Sequence, residues 1–296
     1  MNRREFTRKS ALASVLLCAM PLPGIASPGS SRAIRKGIMW ATIGVGETVA
    51  AKFEAVKEAG FEGVEVMSHM DRDEVLAAAG RTGLKIPSVC NALHWEYPLS
   101  HPDPAVREKG VDALVHSLED AAAFGADTVL LVPGRVSAEV TYDQCWERSV
   151  PAIRKALPVA ERLRVNIAIE NVWNNFLLSP LEAARYVDQF GSPFVRFYLD
   201  CGNILLYGWP EQWIRILGSR IAKVHIKEFS MHLANTEGRG AGFRAPLLEG
   251  DVNWPGVMKA LDEIGYTGWA ITEQSGGDTP EGLADLVSRL EKILKS

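Results

Sequence analysis

From about residue 36 to the end of the chain, short apolar runs alternate with stretches whose apolar residues recur every three to four positions. The runs predict strands over 36–42, 63–66, 86–92, 128–132, 165–170, 195–200, 221–227 and 269–273. Between and after them, helical spacing predicts helices over 47–59, 71–81, 103–124, 142–162, 180–190, 210–217, 254–264 and 280–294. These are the two side-chain periodicities that strand and helix geometry impose. Gly60 and Gly125 stand just past two of the helices, where a left-handed residue ends a helix without a Cβ clash. Pro151 and Pro158 lie inside the 142–162 stretch and predict a bend or a division there. Strict alternation of strands and helices calls for a parallel sheet with helical crossovers, and about 250 residues is the usual length of a closed (β/α)8 TIM barrel. An open doubly wound sheet is the rival. It loses ground because no GxGxxG follows the first strand and neither GxxxxGKS nor GxxxxGKT occurs. The expected class is α/β, a single (β/α)8 TIM barrel over 36–296.

The start of the chain follows another pattern. Arg3, Arg4, Arg8 and Lys9 precede an uncharged run from Ala11 to Met20, and Pro21 to Ala26 end in small residues. A basic segment, a short apolar segment and a small-residue end form a secretory signal, and the paired arginines are those of a twin-arginine leader. The apolar run is far short of the roughly 20 residues that span a bilayer, so no stable membrane anchor is expected. The expectation is an export signal over 1–26, a linker over 27–35 and a bacterial periplasmic protein handled by the twin-arginine export machinery. Outside the leader, Cys90, Cys145 and Cys201 are odd in number and lack CxxC spacing, which predicts buried small apolar residues rather than a disulfide framework. Formal net charge is −4. The leader is basic, so the remainder is more acidic still, which speaks against tracking nucleic-acid phosphates. Homo-oligomerisation is left open.

Candidate chemistry gathers at strand ends, where barrel enzymes carry their active sites. The last four predicted strands end in Glu170, Asp200, His225 and Glu273. Neighbouring strands are about 4.8 Å apart, so side chains at equivalent depth on consecutive strands can converge. Three carboxylates and an imidazole suit a divalent cation, with Mn2+, Mg2+ or Co2+ ahead of Zn2+. Taken singly, a strand-end aspartate more often caps the next helix and a strand histidine more often fills the core; four in succession favour one site. Glu65 is read as a substrate contact or, equally, a buried ion pair; His94 as a substrate contact or a loop histidine. Lys227, two residues past His225, faces the same way and could orient a substrate oxygen. Trp40, Trp95 and Trp173 near strand ends suit either a sugar face or core packing. The long 229–253 connection exceeds usual lengths and is expected to be an active-site loop, with Arg244 as its substrate contact and Arg135 a weaker analogue. Cys201 is read as packing.

The series Glu170, Asp200, His225, Glu273, with AGFEGVEV (59–66), IAIENVW (167–173), YLDCGN (198–203) and KVHIKEF (223–229), resembles the xylose-isomerase-like TIM-barrel superfamily of sugar isomerases and epimerases. The resemblance implies that these four residues hold the metal and that Glu170 and Glu273 exchange a proton with the substrate through an enediolate. A small-molecule carbohydrate is the implied partner, and no organic cofactor is needed. Many free-ketose epimerases of the group carry a histidine where this chain has Asn203, a candidate substrate contact. That DxGN form resembles the pentulose-phosphate 3-epimerase branch, whereas a periplasmic address favours an unphosphorylated sugar or keto-sugar, which is the expectation adopted. The alternatives are a lyase of the inosose dehydratase type, an endonuclease IV-like DNA-repair enzyme and a non-catalytic sugar-binding barrel. Six histidines and the acidic balance disfavour the endonuclease.

Overall fold

The structure, a computed structural model, describes residues 32–296. The expected export signal and residues 27–31 of the expected linker lie outside the described residues. Eight parallel strands close on themselves in sequence order. They are β1 (Ile34–Met39), β2 (Gly63–Met67), β3 (Val89–Cys90), β4 (Thr128–Leu131), β5 (Asn166–Glu170), β6 (Val195–Asp200), β7 (Ile221–Ile226) and β8 (Gly268–Thr272). The crossovers carry α1 (Val49–Ala59), α2 (Arg72–Thr82), α3 (Pro104–Phe124), α4 (Tyr142–Leu163), α5 (Pro180–Asp188), α6 (Cys201–Ile204), α7 (Pro210–Leu217), α8 (Met231–Glu237) and α9 (Trp254–Glu263), and α10 (Pro280–Lys295) ends the chain. This is the TIM barrel that the alternation predicts. Pairing of β1 with β8, from Ile34↔Gly268 to Ile38↔Thr272, completes the cylinder.

Helix ends follow local chemistry. Thr48, Asp71, Asp103, Ser179 and Thr279 each accept a backbone N–H of the following first turn, satisfying donors the helix itself cannot. Apolar side chains fill two layers. One lies between the strands and the helices, and a smaller one, including Met39, Leu130, Tyr198, Trp269 and Ile271, lies within the cylinder. Among the described residues no helix is long and apolar enough to cross a membrane.

Four details depart from the sequence reading. First, β1 begins two residues inside the expected linker, and Arg32 already clasps Asp262 with both side-chain oxygens within 2.9 Å. Second, β3 shrinks from the expected 86–92 to Val89–Cys90, because Pro87 has no N–H to give a ladder. Third, Pro151 and Pro158 do not divide α4. Each forfeits one helical hydrogen bond, while a face including Cys145, Ile153, Ala156 and Ala160 stays buried against the barrel. Fourth, two short helices join the expected set. The first, α6, starts directly at the end of β6, and the second, α8, organises part of the 229–253 connection.

Candidate active site

The ladder register sets four side chains at one depth. Asp200, the last residue of β6, pairs with His225 of β7, and Ile226 pairs with Thr272, which puts Glu273 just beyond β8. Glu170 closes β5. One ligand atom from each of Glu170, Asp200, His225 and Glu273 lies within 4.8 Å of the others. His225 is at the centre. Its Nδ1 is 2.9 Å from Glu170 Oε1, 3.2 Å from Glu273 Oε2 and 3.9 Å from Asp200 Oδ2.

Asparagines fix the rim beneath this cluster. Asn171 donates from Nδ2 to the Asp200 carbonyl and accepts the Asp200 N–H, both at 2.9 Å. Asn203 donates to the Asn171 carbonyl at 3.0 Å. Asp200 also caps α6, accepting Asn203 N–H at Oδ1 over 2.7 Å. Helix capping and membership of the cluster, set against each other in the sequence, are therefore both true of this residue, because they use different oxygens. Oδ2 is buried with no hydrogen-bond partner; Lys227 Nζ lies 3.2 Å away as an ion pair outside hydrogen-bond geometry.

Burial and charge pull the groups apart. Desolvation pushes Glu170 up to about 7 and Asp200 up to about 6, the latter against the pull of Lys227. Burial also opposes ionisation of Glu273, but the Lys227 ammonium and His225 outweigh it and hold its carboxyl well below the usual range. His225 is raised well above its ordinary value, since Glu65 and Glu273 overcome the cost of its burial. The shared Nδ1 proton and Lys227 thus supply positive charge to three converging carboxylates. A cation held by several donors at about 2 Å needs those donors roughly 3–4 Å apart, and this set, its ligand atoms within 4.8 Å of one another and one Asp200 oxygen unpartnered, is close to that spacing.

The cluster forms one side of a cavity of about 290 Å3, whose walls include Met67, Asn91, Trp95 and Val172. A larger hollow of about 410 Å3 at the opposite end of the barrel is walled by Arg35, Arg196 and the Lys223–Asp127 ion pair. The mouth bearing the cluster is the end that barrel enzymes use.

Of the other sequence candidates, His94, Asn203, Lys227 and Trp95 line the cavity. Burial lowers His94 to about 4, so its ring is neutral, with Nδ1 facing the Val132 N–H at 3.4 Å. Lys227 is committed to Glu273, 2.6 Å away. Glu65 is not at the mouth. It is fully buried inside the barrel against His225, which settles its two readings in favour of the ion pair over the substrate contact. Arg244 is likewise no cavity residue; exposed, it pairs with Glu237 at the end of α8. Its neighbour Phe243 turns inward instead, packing on Trp173 with ring centroids 4.7 Å apart and lying beneath Lys227. Arg135 is exposed away from the cavity, Trp40 packs on Phe53, and Trp173 donates to the Asn203 carbonyl. Cys90, Cys145 and Cys201 are free and buried, as read.

The sequence reading gave no role to two residues that shape this end of the barrel. The Glu228 carboxylate, fully buried, accepts N–H groups from Phe229, Leu248 and Val252 and from the Trp254 indole. Gln274 accepts the Glu228 N–H and donates to the carbonyls of Phe243 and Ala245. Together they give the 229–253 connection its shape. A Cβ at Gly250 would stand 2.6 Å from both Glu228 Oε1 and the Phe229 carbonyl, so the tight path needs glycine there. The only signal in the sequence is that both acceptors immediately follow residues of the strand-end motifs.

Residues 53–293 match the Xylose isomerase-like TIM barrel family. L-ribulose-5-phosphate 3-epimerase UlaE of Salmonella heidelberg (strain SL476) is 25% identical over 280 residues, covering 90% of this chain and 95% of that protein. In fold, the chain is similar to the apo form of 3-keto-D-glucoside 4-epimerase YcjR from E. coli, with a TM-score of 0.74 at 18% identity over 88% of this chain and 99% of that one. It is also similar to D-allulose 3-epimerase from Methylomonas sp. in complex with D-allulose, with a TM-score of 0.70 at 17% identity over 89% and 98%. The family match takes in most of the barrel and all four clustered residues, and the protein belongs to the xylose isomerase-like TIM barrel family.

Proposed function

We propose that the protein is a metal-dependent epimerase of a small carbohydrate. The observation that carries this reading is the convergence of Glu170, Asp200 and Glu273 on His225 Nδ1 at one side of an open cavity, in a chain whose homologues include named sugar epimerases. Glu170, Asp200, His225 and Glu273 would hold a divalent cation, Mn2+, Mg2+ or Co2+ ahead of Zn2+, and such a cation supplies Lewis acidity that makes a proton beside a carbonyl easier to remove. Glu170 and Glu273 belong to strands three places apart around the barrel and enter the cavity from different arcs of its rim. One takes the carbon-bound proton, leaving an enediolate, and the other returns a proton to carbon; in the reverse direction the roles exchange. Lys227 pairs with Glu273 and lies beside Asp200, and its charge favours the ionised form of both. Trp95 offers an exposed aromatic face, and Asn91 and Asn203 offer amides, to a hydroxyl-rich ring.

The substrate we infer is unphosphorylated. Among the described residues lining the cavity Lys227 is the one lysine or arginine, already engaged by two carboxylates, the His225 charge is taken up by Glu65 and the cluster, and neither Arg135 nor Arg244 reaches in. The leader over 1–26 supports export to the periplasm, where free sugars and keto-sugars are the accessible substrates.

The test is proton exchange from D2O into a panel of ketoses, aldoses and 3-keto-glycosides, read by NMR. Glu170→Gln and Glu273→Gln should each lose about 10²–10⁴-fold in turnover while still folding. EDTA should abolish exchange and added Mn2+ or Co2+ restore it. Exchange that survives both substitutions, or is indifferent to chelation in metal-free protein, refutes the proposal.

A further inference from the structure

Glu65 stands on β2, on the far side of the barrel from His225, and 160 residues separate the two. Its side chain is wholly buried and every oxygen is engaged. Oε1 is 2.8 Å from His225 Nε2, while Oε2 accepts the Tyr198 hydroxyl at 2.6 Å and the Ser88 hydroxyl at 2.5 Å. The Tyr198 ring also packs on the imidazole, with centroids 4.5 Å apart. The imidazole is therefore gripped from one edge and one face, and only its Nδ1 edge is turned to Glu170, Asp200 and Glu273.

We propose that Glu65 is the positioning residue of the site: by accepting from His225 Nε2–H it fixes the tautomer and ring orientation that present the Nδ1 lone pair to a cation. This rests on the metal reading given above. Glu65 Oε1 accepts from Nε2, so a cation entering at the opposite edge displaces the Nδ1 proton shared with Glu170 and Glu273, and the neutral ring keeps its one proton on Nε2 against Glu65. Its other nitrogen is then free to ligate. A carboxylate behind a ligating histidine also raises the basicity of the ligating nitrogen, and loss of such a partner typically weakens metal binding about 10- to 100-fold. The two hydroxyls perform the matching task for Glu65. They occupy Oε2 and leave Oε1 aimed at the ring, so Tyr198 and Ser88 complete a chain that runs from the barrel interior to the cluster. A carboxylate kept only for packing would need no such alignment, since a neutral group of similar volume usually serves the core as well.

The experiment uses the full chain, stripped with EDTA and titrated with Mn2+ by calorimetry. In parallel, 15N-histidine-labelled protein, metal-free and Zn2+-loaded, is examined for an exchange-protected His225 Nε2–H signal. Glu65→Ala should bind Mn2+ about 10- to 100-fold more weakly and lose that signal. Glu65→Gln, whose amide oxygen still accepts, should restore the signal and recover only part of the affinity. A Glu65→Ala protein that binds Mn2+ within twofold of wild type and keeps the signal overturns the assignment. Should Glu65→Ala fail to fold, Tyr198→Phe removes one of the hydroxyls that hold Oε2. A smaller loss of Mn2+ affinity with a more rapidly exchanging Nε2–H supports the chain, and no change in either overturns it. Wild-type protein that binds no Mn2+ refutes the metal reading itself, whereas tight wild-type binding with an indifferent Glu65→Ala removes only Glu65.

Discussion

Replacing Glu228 with glutamine changes one atom and should loosen a whole flank of the cavity. The native carboxylate gathers four N–H donors, two on each oxygen. Oε1 takes Phe229 at 3.2 Å and Val252 at 3.1 Å, and Oε2 takes Leu248 and the Trp254 indole, both at 2.8 Å. An amide in either orientation keeps one oxygen and turns the other position into a donor facing two donors. Two buried N–H groups lose their acceptor, each at about 1–3 kcal/mol, giving about 2–6 kcal/mol of destabilisation. Against a typical total of about 5–15 kcal/mol that is a large share. Urea unfolding with linear extrapolation measures it. Proteolysis under native conditions should then cut within 229–253, since Phe243 and Ala245 are held from the same corner by Gln274. A change below about 0.5 kcal/mol, with an uncut connection, would show that these hydrogen bonds do not hold the segment and that the reasoning is wrong.

Two other outcomes follow from the geometry. His94 protonates near pH 6.5 when unfolded but only near pH 4 in its buried site. Between those values the unfolded chain binds more protons, so stability falls as pH drops through that window, by about 3 kcal/mol at most. His94→Gln should flatten this part of the urea-midpoint profile, and an unchanged slope would exclude the histidine as its source. Arg244→Ala removes an exposed side chain paired with Glu237; stability should move by less than about 0.5 kcal/mol and kcat/KM by less than twofold, and a tenfold loss of kcat/KM would return Arg244 to the substrate.

The barrel could be read in the sequence because each crossover repeats the same switch from strand to helix periodicity. The cluster could be read because Glu170, Asp200 and Glu273 are each a polar residue ending an apolar run, a local signal. The two readings of Glu65 could not be separated in the sequence for a reason equally physical. It is the third residue of β2, two short of the strand's end, so it projects into the middle of the barrel rather than the mouth. Depth along a tilted strand depends on register with partners far away in sequence. Arg244 stands outside the cavity lining for a related reason. The path of the 229–253 connection is dictated by Glu228 and Gln274, tens of residues from parts of what they hold, and a shift of one position exchanges Arg244 for Phe243. Val89–Cys90 shows the limit of apolar patterning, for the run 86–92 is apolar enough for a longer strand yet Pro87 denies it the ladder.

The short β3 divides the cylinder mechanically. Its ladders are Val66↔Val89 and Met67↔Cys90 on one side and Val89↔Val129 and Cys90↔Leu130 on the other, with an isolated bridge from Gly63 to Lys85 ahead of them. From β4 round to β8 the seams are longer, and β8 is stitched to β1 through five residue pairs. Glu170, Asp200, His225 and Glu273 thus belong to the arc with the longer ladders, while the segment carrying His94 and Trp95 follows the strand with the shortest ones. Substitutions along 91–95 are therefore expected to reshape that wall of the cavity while leaving the register that lines up Asp200, His225 and Glu273 untouched.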